Sequence, residues 1–378
     1  MRSLQGYPTQ LLQEMLEFYS PSGSEAPLAS FLRDEMHAKG MNSTLDEAGN
    51  AIGVLGNEGP RILLCGHMDT VSGRIPVRLD GDLLYGRGAV DAKSSLAAMI
   101  VGAALAKERS IAPAQITVAG VVEEETSSKG IRALMAKRPQ YDLAVFGEPS
   151  GVSNIVVGYK GSLKLHLSFN TAGGHSASPW LSASSFEEAC AFWSGFEHQL
   201  LNNDAQSKFD AVTGCVTNMV SGGPGNSVPA NAELEIDVRI PPDVKPGSFV
   251  SKVQEFIEQH SAVHKGLSVE LRVDDETEAF LGSTDSIGLY AFRWAIRKVQ
   301  GGQVAILKKT GTSDVNLFAQ TQNIPMFAYG PGDSRLDHTE TEHVRISEYL
   351  ASIEVYAHAL SRFAERAREN ASLPTAKE

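Results

Sequence analysis

The sequence has little cysteine and no long apolar segment. Its cysteines, Cys65, Cys190 and Cys215, are far apart and form no Cys-x-x-Cys pair, so neither a disulfide framework nor a thiolate metal site is predicted. No apolar run approaches the roughly 20 residues of a membrane-spanning helix, and the N-terminal stretch mixes polar with apolar residues, unlike a signal peptide. We therefore expect a cytoplasmic protein with reduced thiols.

Basic residues are also scarce. Lys and Arg total 33 against 45 Asp and Glu, a formal net charge of -12. This balance disfavours nucleic acid and anionic membranes as partners, because both require a cationic face. The remaining composition is that of a globular protein, and 378 residues are more than one core usually holds. Two domains are predicted.

Four short apolar runs, separated by helical stretches, are typical of buried parallel strands in an α/β layer structure. Each run ends in a cluster of Gly, His or acidic residues. The runs are Arg61 to Cys65, Ile116 to Val122, Leu143 to Phe146 and Pro325 to Tyr329.

Between Gly161 and Asp274 the pattern changes to the alternation of antiparallel strands. Strands and helices there follow the order βαββαβ, which is ferredoxin-like. We therefore predict a mostly parallel-sheet α/β catalytic domain formed by residues 1–160 and 275–378. A ferredoxin-like α+β domain, 161–274, is inserted into it.

Ligands of open α/β sheets bind beyond the carboxyl ends of the strands, which draws attention to Gly66-His67-Met68-Asp69. If the strand continues, His67 and Asp69 lie on one face, so that His67 can bind a metal while Asp69 orients its ring. Taken alone, the motif is also consistent with a polar strand end.

Asp91 follows a glycine-rich turn, just before a helix predicted near Lys93. It is either a helix N-cap or a carboxylate that bridges two cations.

The run Ile116 to Val122 ends in Glu123-Glu124-Glu125, three like charges that repel unless they are solvated, protonated or near cations. Neighbouring residues in a strand point in opposite directions. One glutamate can therefore bind a metal while its neighbour acts as a general base. Exposed acidic loops are the common alternative.

Two further residues follow strand ends. Glu148 comes after Leu143 to Phe146, and His338 comes after the turn Gly330-Pro331-Gly332. His343 competes with His338, which we favour because it follows the glycine-rich turn directly. Nitrogen and oxygen donors alone favour zinc over calcium or magnesium. The set therefore predicts a two-zinc site with a bridging water; its members are His67, Asp91, Glu125, Glu148 and His338.

These five segments resemble the dinuclear-zinc peptidase family of acetylornithine deacetylase, succinyl-diaminopimelate desuccinylase, aminoacylase and glutamate carboxypeptidase. The resemblance covers nearly the whole chain. It implies that His67 and Glu148 hold one metal, Glu125 and His338 the other, and Asp91 both. It further implies that Asp69 supports His67, that Glu124 is the general base, and that Co²⁺ can replace Zn²⁺.

The resemblance also extends to the inserted domain and implies a homodimer. His175, in Gly173-Gly174-His175-Ser176-Ala177, matches a histidine that reaches into the partner subunit's active site; without the metal motifs it would be an ordinary loop histidine. Asn226 and Arg239 match positions that contact substrate, and Thr312 is a third candidate contact. The strand alternation equally allows Arg239 to be a solvent-facing residue.

In detail the chain is most similar to the LysK-type branch of this family. The carrying segments are Lys309 to Asn316 and Gly330 to His343, and the desuccinylases have an arginine where this chain has Asn316. The branch implies release of lysine or ornithine from the C-terminal glutamate γ-carboxyl of the amino-group carrier protein LysW, in lysine and arginine biosynthesis. Lys160, Lys164, Lys308 and Lys309 are candidates for a local basic rim that meets an acidic carrier.

Other functions share some of these features. A small-molecule deacylase acting on acetylornithine or acetyl-lysine, or a dipeptidase, would use the same metal residues. A non-catalytic metal-binding protein would have no need for Glu124 beside a ligand. A serine hydrolase is disfavoured because the sequence has no Gly-x-Ser-x-Gly motif.

Overall fold

The computed structural model describes residues 6–110, 112–264 and 266–371. Its helices are α1 (Gly6–Glu17), α2 (Ala26–Ala38), α3 (Lys93–Arg109), α4 (Lys129–Ala136), α5 (Ser185–Leu200), α6 (Pro246–Val263), α7 (Ile287–Gln300), α8 (Asp314–Ala319) and α9 (Ile346–Ala371). Single 3₁₀ turns cover Pro179–Leu181 and Ser334–Leu336.

The strands fall into a large mixed sheet, a four-stranded sheet and two small ribbons. They are β1 (Asn42–Leu45), β2 (Ala51–Leu55), β3 (Arg61–His67), β4 (Arg78–Asp80), β5 (Leu83–Tyr85), β6 (Gln115–Val121), β7 (Leu143–Phe146), β8 (Asn154–Tyr159), β9 (Gly161–Asn170), β10 (Gly174–His175), β11 (Thr213–Ser221), β12 (Ser227–Val228), β13 (Asn231–Ile240), β14 (Ser268–Thr277), β15 (Phe280–Leu281), β16 (Ala305–Lys309), β17 (Met326–Ala328) and β18 (His343–Arg345).

The chain divides into two compact units. The first, here called the sheet unit, contains the described residues up to Val157, Gly282–Leu307, and those from Leu317 onward. The second, the inserted unit, contains Gly158–Leu281 and Lys308–Asn316.

The sheet unit is built around four parallel strands in the order β6-β3-β7-β17, with β1 and β2 antiparallel at one side. Residues Ile62 to Cys65 of β3 are all buried, as expected for a strand covered on both faces. Helix α3 is buried almost all round and packs against α9. The predicted mostly parallel α/β sheet is confirmed.

Parallel register brings the ends of these strands to one edge. His67 at the end of β3 lies beside Val121 of β6, and Cys65 lies beside Phe146 of β7. A separate ribbon pairs β18 with β5, placing His343 opposite Tyr85. The loops that follow β5 and precede β18 are thereby brought close together.

The inserted unit has the predicted order β9-α5-β11-β13-α6-β14 and forms an antiparallel sheet in the order β11-β13-β9-β14. Alternate side chains of β9 are buried, from Leu163 to Phe169. They pack against aromatic residues of both helices, including Phe192 and Phe256. This is the ferredoxin-like arrangement of an inserted α+β domain.

The boundaries of this unit differ from the sequence-based ones. Lys308–Asn316 belongs to it, although the prediction assigned the whole of 275–378 to the other domain. Asn316 is the physical reason, because its buried amide donates hydrogen bonds to the carbonyl oxygens of Lys160 and Glu278. Separately, none of the helices in the described ranges is long and apolar enough to cross a membrane.

Candidate metal centre

The loops that follow the parallel strands carry most of the predicted metal ligands. His67 ends β3, Glu123 to Glu125 follow β6, and Glu148 follows β7. Ser150 ties this last loop to the one after β17: its hydroxyl accepts the N–H of Gly330 at 3.1 Å. Gly330 leaves no room for a side chain, since a Cβ there would lie 2.8 Å from the carbonyl oxygen of Glu148.

Asp91 lies between the two predicted histidine ligands. Its Oδ1 is 3.2 Å from His67 Nε2 and its Oδ2 is 3.3 Å from His338 Nε2. The alternative role as a helix N-cap is not what the side chain does, because α3 is capped at Ala92 without a side-chain hydrogen bond. The two carboxylate oxygens face two different imidazoles.

The donor atoms form two groups that share Asp91. In one group donors of His67, Asp91 and Glu148 lie within 4.8 Å of one another, and in the other those of Asp91, Glu125 and His338 do so. His343 belongs to neither group; its ring packs against Tyr85 and its Nδ1 faces the carbonyl oxygen of Thr341. The structure thus brings together all five predicted ligands.

Asp69 is fully buried, and its backbone and its carboxylate have different partners in the site. Strand β3 ends at His67. The Nδ1 atom of His67 lies 2.9 Å from the backbone carbonyl oxygen of Asp69 and 3.6 Å from its carboxylate. The carboxylate instead accepts the backbone N–H groups of Glu124 and Glu125, both at 3.0 Å, and the hydroxyl of Ser22. Asp69 therefore holds the acidic loop while its backbone orients the histidine.

The glutamate triplet does not continue its strand, contrary to the alternation argument. Strand β6 ends at Val121, and Glu123 has a left-handed backbone with φ of 57°. The side chain of Glu123 turns outward and contacts Ser127 and Lys129. The segment after β6 is therefore a turn, held by the backbone hydrogen bonds from Glu124 and Glu125 to Asp69, and the Glu125 carboxylate lies 3.0 Å from His338.

Two residues that sequence reasoning missed hold the backbone at Asp91. The Oε1 atom of Glu342 accepts the N–H groups of Val90 and Asp91 at 2.9 and 3.1 Å, and its Oε2 accepts from the Arg87 guanidinium at 2.8 Å. Glu342 and Arg87 are both buried. Arg87 lies in the glycine-rich turn, and Glu342 lies four residues after His338. This proximity to predicted ligands was the only indication of their role that the sequence offered.

Carboxylates shift the pKa values of the two histidines in these donor groups. Burial lowers the pKa of His67, but hydrogen bonds to Asp69 and Asp91 and the charges of Glu124 and Asp91 raise it well above its ordinary value. The hydrogen bond to Asp91 is the main reason that the pKa of His338 is raised to about 9. Protons and metal ions therefore compete for the same two imidazole nitrogens.

The carboxylates respond in opposite directions. Burial raises the pKa of Asp91, but the imidazoles of His338 and His67 lower it below its usual range. Burial and the charge of Asp91 raise the pKa of Glu125. A dication would relieve the repulsion between these two carboxylates.

The four remaining predicted site residues lie in the inserted unit, where His175 is close to Asn226 and Arg239 is close to Thr312. His175 of β10 pairs with Ser227 of β12, and the N–H of Ser176 donates to the carbonyl oxygen of Asn226. His175 is exposed, and Asn226 has a left-handed backbone with φ of 65°. His175 therefore lies in a small two-stranded sheet, and Asn226 lies directly before the second strand of that sheet.

Arg239 and Thr312 form the second pair. The Arg239 guanidinium donates to Thr312 Oγ1 at 3.2 Å and forms an ion pair with Asp237 at 2.7 Å. Lys160, proposed for a basic rim, is instead fully buried and donates to the carbonyl oxygens of Lys208 and Ala211. The buried Lys160 ammonium is therefore not available for a basic rim on the surface.

Comparison with known proteins decides the family. The model of peptidase family M20/M25/M40 matches residues 63–362. The chain belongs to this family. It is therefore a hydrolase of a family of metallopeptidases, as the sequence pattern predicted.

Among curated members of the family, the LysW-lysine hydrolase of Deinococcus radiodurans is 38% identical over 362 residues, covering 93% of this chain and 96% of the relative. The LysW-lysine/LysW-ornithine hydrolase of Saccharolobus solfataricus is 30% identical over 354 residues, covering 93% and 94%.

Solved structures of the family share the fold at lower sequence identity. Aminopeptidase PepT from Bacillus cereus has a TM-score of 0.81 at 19% identity, covering 95% of this chain and 99% of that one. A dinuclear metal-binding peptidase from Bacillus subtilis has a TM-score of 0.74 at 14% identity, covering 96% and 99%.

Proposed function

We propose that this chain is a two-zinc amide hydrolase that releases lysine or ornithine from the C-terminal glutamate γ-carboxyl of the carrier protein LysW. The observation that carries this substrate is the similarity, along more than nine tenths of the chain, to relatives named for that reaction. The arrangement of donors around Asp91 supports the chemistry. The enzyme would act in the cytoplasm, in lysine and arginine biosynthesis.

The donor atoms fit a pair of zinc ions. Ligands of a tetrahedral zinc ion with bonds of about 2.0–2.1 Å lie ~3.3 Å apart. Asp91 lies 3.2 Å from His67 and 3.3 Å from His338, and His338 lies 3.0 Å from Glu125. His67 and Glu148 would hold one ion, Glu125 and His338 the other, and Asp91 both. Co²⁺ suits the same nitrogen and oxygen donors.

Glu124 is assigned as the general base. Its backbone is fixed by Asp69, and its charge acts on His67, so its carboxylate adjoins the proposed metal pair. When bound, the two metal ions supply Lewis-acid polarisation of the amide carbonyl and lower the pKa of a coordinated water. Glu124 takes the proton of the attacking water and returns it to the leaving amine. No residue of the chain becomes covalently attached to the substrate.

His175 is assigned to stabilise the developing oxyanion. It lies exposed on a small two-stranded sheet of the inserted unit, which we propose is the dimerisation domain, with the sheet unit as the catalytic domain. His175 would then serve the active site of the partner subunit. Mixing His175→Ala with Glu124→Ala subunits should restore part of the activity, and exchanged heterodimers that stay inactive would contradict this role.

Substrate contacts are assigned to Arg239, Thr312 and Asn226. A lysyl or ornithyl group on the carrier keeps its α-carboxylate, and a guanidinium matches a carboxylate with two donors. Arg239 is partly exposed and already bonded to Thr312 and Asp237, so its orientation is set before substrate arrives.

The test is a comparison of kcat/KM for LysW-linked lysine, LysW-linked ornithine, acetyl-lysine and acetylornithine with one enzyme preparation. We expect the carrier-linked substrates to be cleaved much faster. Acetyl substrates that match them would make the chain a small-molecule deacylase, and dipeptides would serve as a third arm. Loss of all activity on metal removal, restored by Zn²⁺ or Co²⁺, is expected for each substrate.

A further inference from the structure

A third group of metal-type donors lies in the inserted unit, apart from every residue assigned above. Glu188 is in the first turn of α5, and His260 and His264 lie four residues apart at the end of α6. Single donor atoms of these three side chains lie within 4.8 Å of one another. We propose that Glu188, His260 and His264 bind a further transition-metal dication, with zinc the best match.

The spacing of the donors suits such an ion. The Oε2 atom of Glu188 is 2.9 Å from His264 Nδ1 and 3.5 Å from His260 Nε2. These distances lie on either side of the ~3.3 Å expected between ligands of tetrahedral zinc. His260 is in the last turn of α6, and His264 follows the last helical residue with an extended backbone that leaves the two imidazole rings 4.6 Å apart. Two imidazoles and one carboxylate leave one position for water.

An electrostatic role at the helix ends accounts for only part of this arrangement. A carboxylate at the start of α5 and imidazoles at the end of α6 each complement a helix dipole. The Glu188 carboxylate also forms an ion pair with His264 Nδ1 at 2.9 Å, but His260 Nε2 is buried and makes no hydrogen bond within the described part of the chain. Buried polar atoms of this kind normally have a partner. A cation bound between Glu188 and the two imidazoles would give His260 Nε2 a partner.

The surroundings fix the site and leave it accessible. The His260 side chain is 9% exposed, and the edge of its ring packs against Phe192 at 5.4 Å between centroids. The His264 ring stacks on the His260 ring and is 35% exposed. One ligand is thus held rigidly, while the other borders solvent and provides an entry path. The bound ion would join the start of α5 to the end of α6.

Metal counting on the full-length protein tests this proposal independently of the active site. Metal-stripped wild type, Glu188→Gln, His264→Ala and the control His198→Ala would be equilibrated with a small excess of Zn²⁺ and excess Mg²⁺, then desalted and analysed for zinc. We expect Glu188→Gln and His264→Ala to hold one zinc fewer than wild type and His198→Ala. His198 is also on α5 but belongs to no donor group of the described residues.

A second measurement guards against loss of folding. The Asp91→Ala variant, which lacks the ligand shared by the two active-site groups, should still bind zinc through Glu188, His260 and His264, and a chelator should lower its unfolding temperature. Adding His264→Ala should abolish both effects. Equal zinc contents in wild type, Glu188→Gln and His264→Ala, or no zinc retained in folded Asp91→Ala, would overturn the proposal.

Discussion

The backbone amide of Glu124 donates a hydrogen bond to the carboxylate of Asp69 at 3.0 Å. The amide of Glu125 donates to the other oxygen of the same carboxylate. One buried aspartate therefore sets the positions of the proposed base and of a proposed metal ligand, while its own carbonyl oxygen faces the ring of His67. The geometry of the site depends on Asp69 more than the motif His-x-Asp indicates.

Replacing Asp69 by Asn should impair catalysis strongly. The amide group of Asn would point an N–H donor at the N–H of either Glu124 or Glu125, so one hydrogen bond is lost and the loop moves. Changes to groups that support metal ligands typically cost 10- to 100-fold in activity or metal affinity, and we expect a loss in this range. Steady-state kinetics and zinc analysis of the purified variant measure it.

Ser22→Ala is the matched control for Asp69→Asn. It removes the hydroxyl bonded to Asp69 at 2.7 Å but leaves both amide hydrogen bonds in place. Its kcat should fall less than tenfold, the scale of one lost hydrogen bond. Equal losses in the two variants would mean that burial of the Asp69 side chain, and not its hold on the loop, supports activity.

Substitutions of Glu124 and of Asp91 should have different effects on catalysis and on metal binding. Glu124→Gln keeps the backbone bond to Asp69 but cannot accept a proton, so we expect both metals to stay and kcat to fall by about 10²- to 10⁴-fold, the range of general acid–base catalysis. Asp91→Ala should lose metal as well as activity, because Asp91 belongs to both donor groups. Elemental analysis decides the matter, and full metal content in Asp91→Ala would refute the bridging role.

The stabilities of the metal-free and the metal-loaded protein should change in opposite directions as the pH rises. In the metal-free protein the pKa of His338 is raised to about 9, against about 6.5 in an unfolded chain. Its contribution to stability is therefore complete below pH 6.5 and is lost as the pH rises through 9. Metal binding requires neutral imidazoles, so the metal-loaded protein should gain stability over the same interval.

Thermal unfolding between pH 6 and pH 9.5, with and without chelator, checks this behaviour. His338→Gln should reduce the slope of the metal-free protein, because one of the two imidazoles with a raised pKa is gone and His67 remains. A metal-free wild type whose unfolding temperature rises across this interval would contradict the assignment of the raised pKa to His338.

The sequence was sufficient for the parts of the fold that periodicity determines. Alternating burial along Gly161 to Asn170 and continuous burial along Ile62 to Cys65 both follow from hydrophobic pattern, and they distinguish the antiparallel from the parallel sheet. The small strands β4, β5 and β18 were not predicted. They are three residues each, too short for a clear alternation, and β18 pairs with β5, which is distant in the sequence.

The same distinction applies to the site. Side chains placed directly after a buried strand, such as His67 and Glu148, could be predicted because strand direction carries them to one edge. The roles of Glu342 and Arg87 could not, since they depend on pairing between β5 and β18. Lys160 looked like a surface cation because a strand end gives no indication of the carbonyl groups that surround it.

Recognition of an acidic carrier should depend on salt and on particular lysines. The chain carries a net charge of -12, so attraction of an acidic partner requires a local basic surface. Lys164 and Lys308 of the inserted unit are exposed, whereas Lys160 is buried. Exposed charges are screened within about 8 Å at physiological ionic strength. The KM for LysW-linked lysine should therefore rise with added salt, while the KM for a short acyl substrate changes little.

Lys164→Glu combined with Lys308→Glu should raise the carrier KM several-fold without changing kcat. Lys252→Glu, on the exposed surface of α6, provides a charge-matched control. Kinetics at several salt concentrations measure these effects, and a carrier KM that is insensitive to both salt and the double substitution would show that carrier recognition does not use this surface.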